Sequence, residues 1–250
     1  MHIVVCLKRV PDTTARIQPD AQGRDIVAQG VEFILSPYDE MALERAVQLV
    51  EAGSASKVTA LVLGPKEATK EIRKSLALGA NEALHLIETM SLRDPASTAE
   101  ILAAAIGELN ADVVFCGWKA IDLDSSSVGS YLAARLGFAY ASLVVKLDVE
   151  DGRLIAHREV EGATEVYALP TPCVLTAQKG LGEVRFAGLK NIMKAKKKPL
   201  TVKDPAAVEL GSEVVAITPP PARPAGRIVG EGTAAVPELV RVLRDEVHVL

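Results

Sequence analysis

The chain has 250 residues, enough for one large domain or two small ones, and with 49% hydrophobic residues it can bury a substantial core. A formal net charge of -4 offers no bulk attraction for nucleic acid. No apolar run approaches the roughly 18 residues that cross a membrane, and the first residues lack the long apolar stretch and small-residue cleavage site of a signal peptide. A soluble, cytoplasmic protein without membrane insertion is expected. Cys6, Cys116 and Cys173 have apolar neighbours and no metal-ligand spacing. Their odd number argues against a disulfide framework, so they read as small buried hydrophobes in a reducing compartment.

Residues 2–7 read as a first strand, followed by a turn at Pro11 and Asp12. A second ordered segment, residues 31–38, leads to a helix with Met41, Leu43, Ala46, Val47 and Val50 as its apolar stripe. Ser36 or Asp39 is placed to cap that helix, and Gly53 ends it. Residues 57–63 form the next strand, Gly64-Pro65 breaks it, and residues 68–78 make an amphipathic helix ending near Gly79. A short strand at 83–87 precedes a helix that begins around Asp94, with Ser97 or Thr98 near its start, and runs through Ile106.

The apolar run Ala111-Asp-Val-Val-Phe-Cys116 suits a buried parallel strand. Behind it, Val128, Leu132, Ala133 and Leu136 recur at helical spacing. The loop between them therefore lies where a strand ends and a helix begins, the place where open α/β sheets bind ligands. Asp124, Ser125, Ser126 and Ser127 crowd the helix start. They suit a phosphate at the helix N-terminus, and they equally suit plain helix caps.

Beyond residue 140 the pattern changes. Strand-like segments at 141–149, 153–160 and 163–169 are separated by the hairpin signals Asp151-Gly152 and Glu161-Gly162, and residues 171–178 are apolar enough to rejoin the main sheet. From Gly180 periodicity is lost. The proline-rich runs 218–221 and 224–226 predict an extended arm, with a last helix from Pro237 to about Val247. Val214, Val215 and Ile217 before the arm, and Val236, Leu239, Val240 and Leu243 after it, call for cover by a partner. Strands alternating with helices predict an α/β fold with a doubly wound, mostly parallel sheet, a small antiparallel addition, and a C-terminal extended arm plus helix. The expected division is 1–208 for the nucleotide-binding domain and 209–250 for the arm.

Four stretches resemble the beta subunit of electron transfer flavoproteins: Val4-Val-Cys-Leu-Lys-Arg-Val-Pro-Asp12; Ser36-Pro-Tyr-Asp-Glu-Met-Ala-Leu-Glu44; Lys119-Ala-Ile-Asp122 with Gly129; and Asn191-Ile-Met-Lys-Ala-Lys-Lys-Lys198. They occur in the family's order and spacing. The resemblance implies a heterodimer with the electron transfer flavoprotein alpha subunit, which holds the working FAD. It also implies an adenine nucleotide on this chain, AMP in ordinary members and a second FAD in bifurcating ones. Such a protein takes electrons from flavin dehydrogenases, such as acyl-CoA dehydrogenases, passes them towards the quinone pool, and does no bond-making chemistry of its own.

Carried over by position, the nucleotide pocket comprises Cys6, Ser36, Pro37, Tyr38, Asp39 and Leu63, with Ala120, Ile121, Asp122, Asp124, Ser125, Ser126, Ser127, Val128, Gly129, Ser130 and Tyr131 as the main cradle. Backbone near Cys6, Leu63 and Ala120 would hold adenine and ribose. Asp122 or Asp124 would accept a hydroxyl proton, and residues 125–129 would take the phosphate. The chain departs from the family at Ser36, usually Asn, at Trp118, usually a long basic or polar residue, and at Ser125–Ser127, where Asn-Gln-Thr or Thr-Ala-Gln runs are common. Residues 10–13 and 37–39 lean to the bifurcating branch and 191–198 to the ordinary one; AMP is the favoured ligand.

Residues 184–200, within a loop at about 181–200, resemble the family's recognition loop. There Leu189 would anchor the dehydrogenase, and Lys194, Lys196, Lys197 and Lys198 would steer acidic partners. Lys8 and Arg9 are placed to face either a flavin, the phosphate or solvent. His2, His85, His157 and His248 are scattered and read as structural or surface residues. No Walker A or Gly-x-Gly-x-x-Gly pattern is present. The fold expected for this chain is of the adenine-nucleotide alpha hydrolase-like kind, and the competing reading of that pattern is a stand-alone ATP-binding protein of the universal-stress or adenine-nucleotide hydrolase-like type.

Overall fold

The computed structural model describes residues 1–89, 92–223 and 225–250; Pro224, one of the arm's prolines, lies outside them. The chain divides into two compact units, Met1–Ile217 and Thr218–Leu250.

In the first unit, β1 (His2–Leu7) is buried on both faces. Ile3, Val5 and Leu7 point into one apolar layer and Val4 and Cys6 into the other, as period-two alternation in a central strand requires. Next come the short β2 (Arg9–Pro11) and β3 (Phe33–Leu35), paired antiparallel, so the predicted turn at Pro11 is the end of a small ribbon. The helix α1 (Pro37–Glu51) has Pro at its first position and buries Ala42, Leu43, Ala46, Val47 and Leu49. Then β4 (Lys57–Gly64) leads through a 3-10 turn to α2 (Thr69–Leu78) and β5 (Glu82–Ile87). The next helix, α3 (Pro95–Leu109), is capped by the Asp94 carboxylate, which accepts from Ser97 N–H; Ser97 lies inside the first turn.

The chain continues through β6 (Val113–Gly117), α4 (Val128–Leu136), β7 (Ala139–Glu150), β8 (Arg153–Val160), β9 (Ala163–Leu169) and β10 (Cys173–Ala177). A short helix α5 (Leu189–Ala195) and an edge strand β11 (Leu200–Lys203) follow, where the sequence showed no periodicity.

Among the described residues the main sheet has nine strands, ordered β11-β5-β4-β1-β6-β10-β7-β8-β9. Pairing is parallel from β11 to β7 and antiparallel through the β7-β8-β9 meander. The predicted apolar run near 171–178 does rejoin the sheet, as β10. One layer of core joins α1 and α2 to the sheet, and the other joins α3 and α4 to its opposite face. The fold is doubly wound. From β1 the chain steps outward through β4 and β5, then returns to the other side of β1 at β6, so the topological switch point lies between β1 and β6.

The second unit holds a 3-10 turn (Thr233–Ala235), α6 (Val236–Arg241) and a π-helical turn (Val242–Glu246), a single helical run over the segment predicted as helix. Arg241 pairs with Glu238 and Glu246. Val236, Leu239, Val247, Val249 and Leu250 are exposed.

Candidate functional site

An open cleft lies over the carboxyl ends of β1, β4 and β6. Cys6 and Leu63 line it from the strand ends, and Ala120, Ser125, Ser126, Ser127 and Val128 line it from the loop before α4. Of the other residues predicted for the pocket, Asp39 is on its lining, and Ser36, Pro37, Tyr38, Ile121, Asp122, Asp124, Gly129, Ser130 and Tyr131 lie off it.

The carboxyl of Asp39 sets the floor. It is 6% exposed, and its two oxygens accept hydrogen bonds from two strand ends: Oδ2 from Lys8 N–H at 2.8 Å, just past β1, and Oδ1 from Gly117 N–H at 2.7 Å, at the end of β6. Asp39 therefore ties the switch point together through the first turn of α1. Burial pushes its carboxyl up to about 7, against the two N–H donors and the nearby Lys8 charge, which favour the ionised form. The contact demands a glycine at 117. A Cβ there would stand 2.5 Å from Asp39 Oδ1 and 2.8 Å from Tyr38 Cβ. Ser36 holds the N-cap position of α1 without a side-chain cap bond, so neither predicted capping group acts as one. Tyr38 meets Trp118 edge to face at 5.6 Å.

Two ion pairs hold the loop from Trp118 to Ser127, one reaching it from Lys8 and one within it. Lys8 Nζ pairs with Asp122 at 2.6 Å, and Lys119 Nζ pairs with Asp124 at 2.7 Å. Asp124 and Ser126 both adopt positive φ, a conformation open to short polar side chains. Ser127 is the N-cap of α4, yet its hydroxyl donates to the Ser125 carbonyl and makes no cap bond. Capping by the Ser127 side chain therefore does not account for the serines, and the N–H groups of a helix's first turn have no acceptor within the helix. Gly129 has a packing role: a Cβ would meet Thr176 Cγ2 at 2.3 Å, so its absence lets α4 lie against β10.

The sequence reading missed the far wall: Arg93, Pro95, Thr98 and Leu102, at and just before the start of α3. It also left open the two basic residues after β1. The structure separates them. Lys8 lines the cleft, whereas Arg9 lies off its lining, pairs with Glu71 at 3.3 Å and stacks on Phe33 at 3.5 Å. Cys6 and Cys116 meet on neighbouring strands at the cleft floor, and all three cysteines are free and buried. His85 is buried against the Gly64 carbonyl, and His2 bridges Thr59 and the Leu109 carbonyl.

A second surface gathers around α5. Leu189 is 82% exposed, Phe186 100% and Met193 69%, with Lys194, Lys196 and Lys197 exposed beside them. Lys198 is different: its ammonium donates to the Leu76 and Ala80 carbonyls at the end of α2, so it caps that helix. Arg185 fastens the segment to α1, donating to both Glu44 oxygens and to Glu51.

Among the described residues no helix is long and apolar enough to cross a membrane, and no cluster of three or more His, Cys, Asp or Glu could hold a metal.

The sequence model of the family described as "Electron transfer flavoprotein domain" matches residues 24–208. The chain is 36% identical to the electron transfer flavoprotein subunit beta of Bradyrhizobium diazoefficiens, with both chains covered in full. It is 36% identical to the mitochondrial electron transfer flavoprotein subunit beta of Arabidopsis thaliana, again over all of both. It is also 34% identical to subunit CarD of the caffeyl-CoA reductase-Etf complex of Acetobacterium woodii, over 88% of this chain and 85% of that one. Matches of this length set the stand-alone ATP-binding reading aside, and the chain belongs to the electron transfer flavoprotein beta-subunit family.

Proposed function

We propose that this chain is the non-catalytic half of an electron-carrying heterodimer, that its switch-point cleft holds AMP, and that its α5 surface docks flavin dehydrogenases. The observation that carries the nucleotide reading is the start of α4: a serine-rich turn at the mouth of an apolar cleft, with its N-cap hydroxyl turned elsewhere. Buried donors that lack partners among the described residues, Trp118 Nε1 and two nitrogens of Arg93, belong to the same lining and suit a polar ligand. Cys6, Leu63 and Ala120 would flank the adenine and ribose, and Ser125, Ser126, Ser127 and the N–H groups leading to Gly129 would take the phosphate. Asp39, on the floor of the cleft, acts by fixing the strand ends. FAD, held mainly by the alpha subunit, would supply the redox chemistry, with electrons drawn from dehydrogenases such as acyl-CoA dehydrogenases and passed towards the quinone pool.

The arm from residue 209 onward would pack on the alpha subunit, which is the natural cover for its exposed Val236, Leu239, Val247 and Val249. The exposed Leu189, Phe186 and Met193 supply an apolar anchor of the kind that dominates binding energy, and Lys194 and Lys197 raise the encounter rate with acidic surfaces. A cytoplasmic site of action fits this reading. A second FAD in the cleft is the other reading, favoured by residues 10–13 and 37–39.

The test is co-expression with a candidate alpha subunit. The account expects a one-to-one complex with a flavin absorption spectrum that accepts electrons from an acyl-CoA dehydrogenase. A chain that stays alone, or that turns over a small substrate by itself, would overturn it.

A further inference from the structure

The cleft lacks any glycine-rich phosphate loop in sequence, so the charge of a bound phosphate must be met by other groups. Each of the three cations on its lining pairs with a carboxylate, Lys8 with Asp122, Lys119 with Asp124 and Arg93 with Glu88, and among the described residues neither lysine has a buried donor left unmet. Arg93 differs. Its side chain is only 12% exposed, and Nη2 meets Glu88 Oε2 at 2.5 Å. Its Nε and Nη1 are buried without a hydrogen-bond partner among the described residues.

A guanidinium carries five N–H donors and cannot shed its charge at any ordinary pH. Leaving such donors buried and unmet is costly, whereas hydrogen bonds from a cation to a phosphate oxygen are among the strongest in proteins. Glu88 holds the side chain in place through one nitrogen and leaves the others available. Arg93 sits on the lining with Pro95, Thr98 and Leu102, and the same lining includes Ser125, Ser126 and Ser127 at the start of α4.

We infer that Arg93 is the charge-selective ligand of the cleft: it binds phosphate oxygens of the adenine nucleotide and makes the site prefer nucleotides to nucleosides. The inference rests on the nucleotide reading above and adds a residue and a selectivity to it. The serines and the α4 N-terminus contribute neutral donors and a partial charge; Arg93 contributes the unmet donors of a cation that Glu88 holds in place.

The experiment is calorimetric titration of the nucleotide-depleted heterodimer with AMP and with adenosine, for the wild type, Arg93→Gln and Arg93→Lys. The inference predicts at least a tenfold loss of AMP affinity in Arg93→Gln, less than a twofold change for adenosine, and an intermediate AMP loss in Arg93→Lys. Retained adenosine binding also shows that the variant is folded. Equal losses for both ligands, or no loss for either, would overturn it. If the wild type binds neither AMP nor adenosine, the nucleotide reading itself fails. In that case thermal stabilisation by inorganic pyrophosphate decides: stabilisation abolished in Arg93→Gln keeps Arg93 as an anion ligand, and its absence in the wild type removes that role too.

Discussion

Replacing Asp39 by Asn should remove a defined pH dependence of stability. The carboxyl titrates at about 7 in the folded chain, because burial outweighs its two N–H donors, against an ordinary 3.8. A carboxyl raised by folding binds a proton more tightly in the native state, so its stabilisation is fully present below the unfolded value and is lost as pH rises through the folded one. Going from pH 8 to pH 6, this one group should add about 1.4 kcal/mol to the free energy of unfolding. For a domain of this size that corresponds to an increase of roughly 3–5 °C in melting temperature. The assay is thermal unfolding of wild type and Asp39→Asn at the two pH values, read as the difference between the proteins so that other titrating groups cancel. Asn keeps one acceptor and turns a donor towards the other N–H, so the variant should be less stable at both pH values, by about 1–3 kcal/mol. The decisive reading is the pH increment. An equal increment in both proteins, or a wild type that loses stability relative to the variant on acidification, would refute the reasoning.

Gly117→Ala forces a methyl against Asp39 and Tyr38; it should cost about 1–3 kcal/mol in urea unfolding and lower the retained nucleotide. Leu189→Ala should stay within about 0.5 kcal/mol of wild-type stability, because the side chain is exposed, while slowing electron transfer from the dehydrogenase with flavin and nucleotide content intact. Unchanged partner reduction would dismiss Leu189 as an anchor. Arg185→Ala strands Glu44, which is buried and held below the usual carboxylate range by that arginine; discounted for the exposure of Arg185, the loss should be about 2 kcal/mol by chemical denaturation.

The central strands were legible because burial on both faces leaves an unbroken apolar run: β1 ends with the run of Ile3, Val4, Val5, Cys6 and Leu7 and begins one residue before it, at His2. Hairpins announced by Asp151-Gly152 and Glu161-Gly162 were legible for a local reason, turn chemistry. By contrast, β11 is an edge strand whose Thr201, Val202 and Lys203 face solvent, so no alternation marks it. The face of α5 that carries Leu189 and Met193 is exposed, so it has no buried stripe to detect. In β2, Pro11 imitates a turn.

The site was legible to the extent that it depends on a strand-loop-helix junction, which places Ser125–Val128 on the cleft. What escaped were long-range relations. Asp39 reaches Gly117 across 78 residues of sequence, a separation no local pattern records. Arg93 is a single arginine in a polar connection, with no spacing to single it out. The lysine run 194–198 looked uniform, yet Lys198 alone turns inward to the end of α2.

The most direct measurement is mass analysis of the nucleotides released when the purified heterodimer is denatured. The account predicts one FAD and one AMP per heterodimer. Two FAD molecules would put a flavin in this chain's cleft and contradict the AMP assignment; FAD with no second adenine nucleotide would contradict the cleft's role altogether.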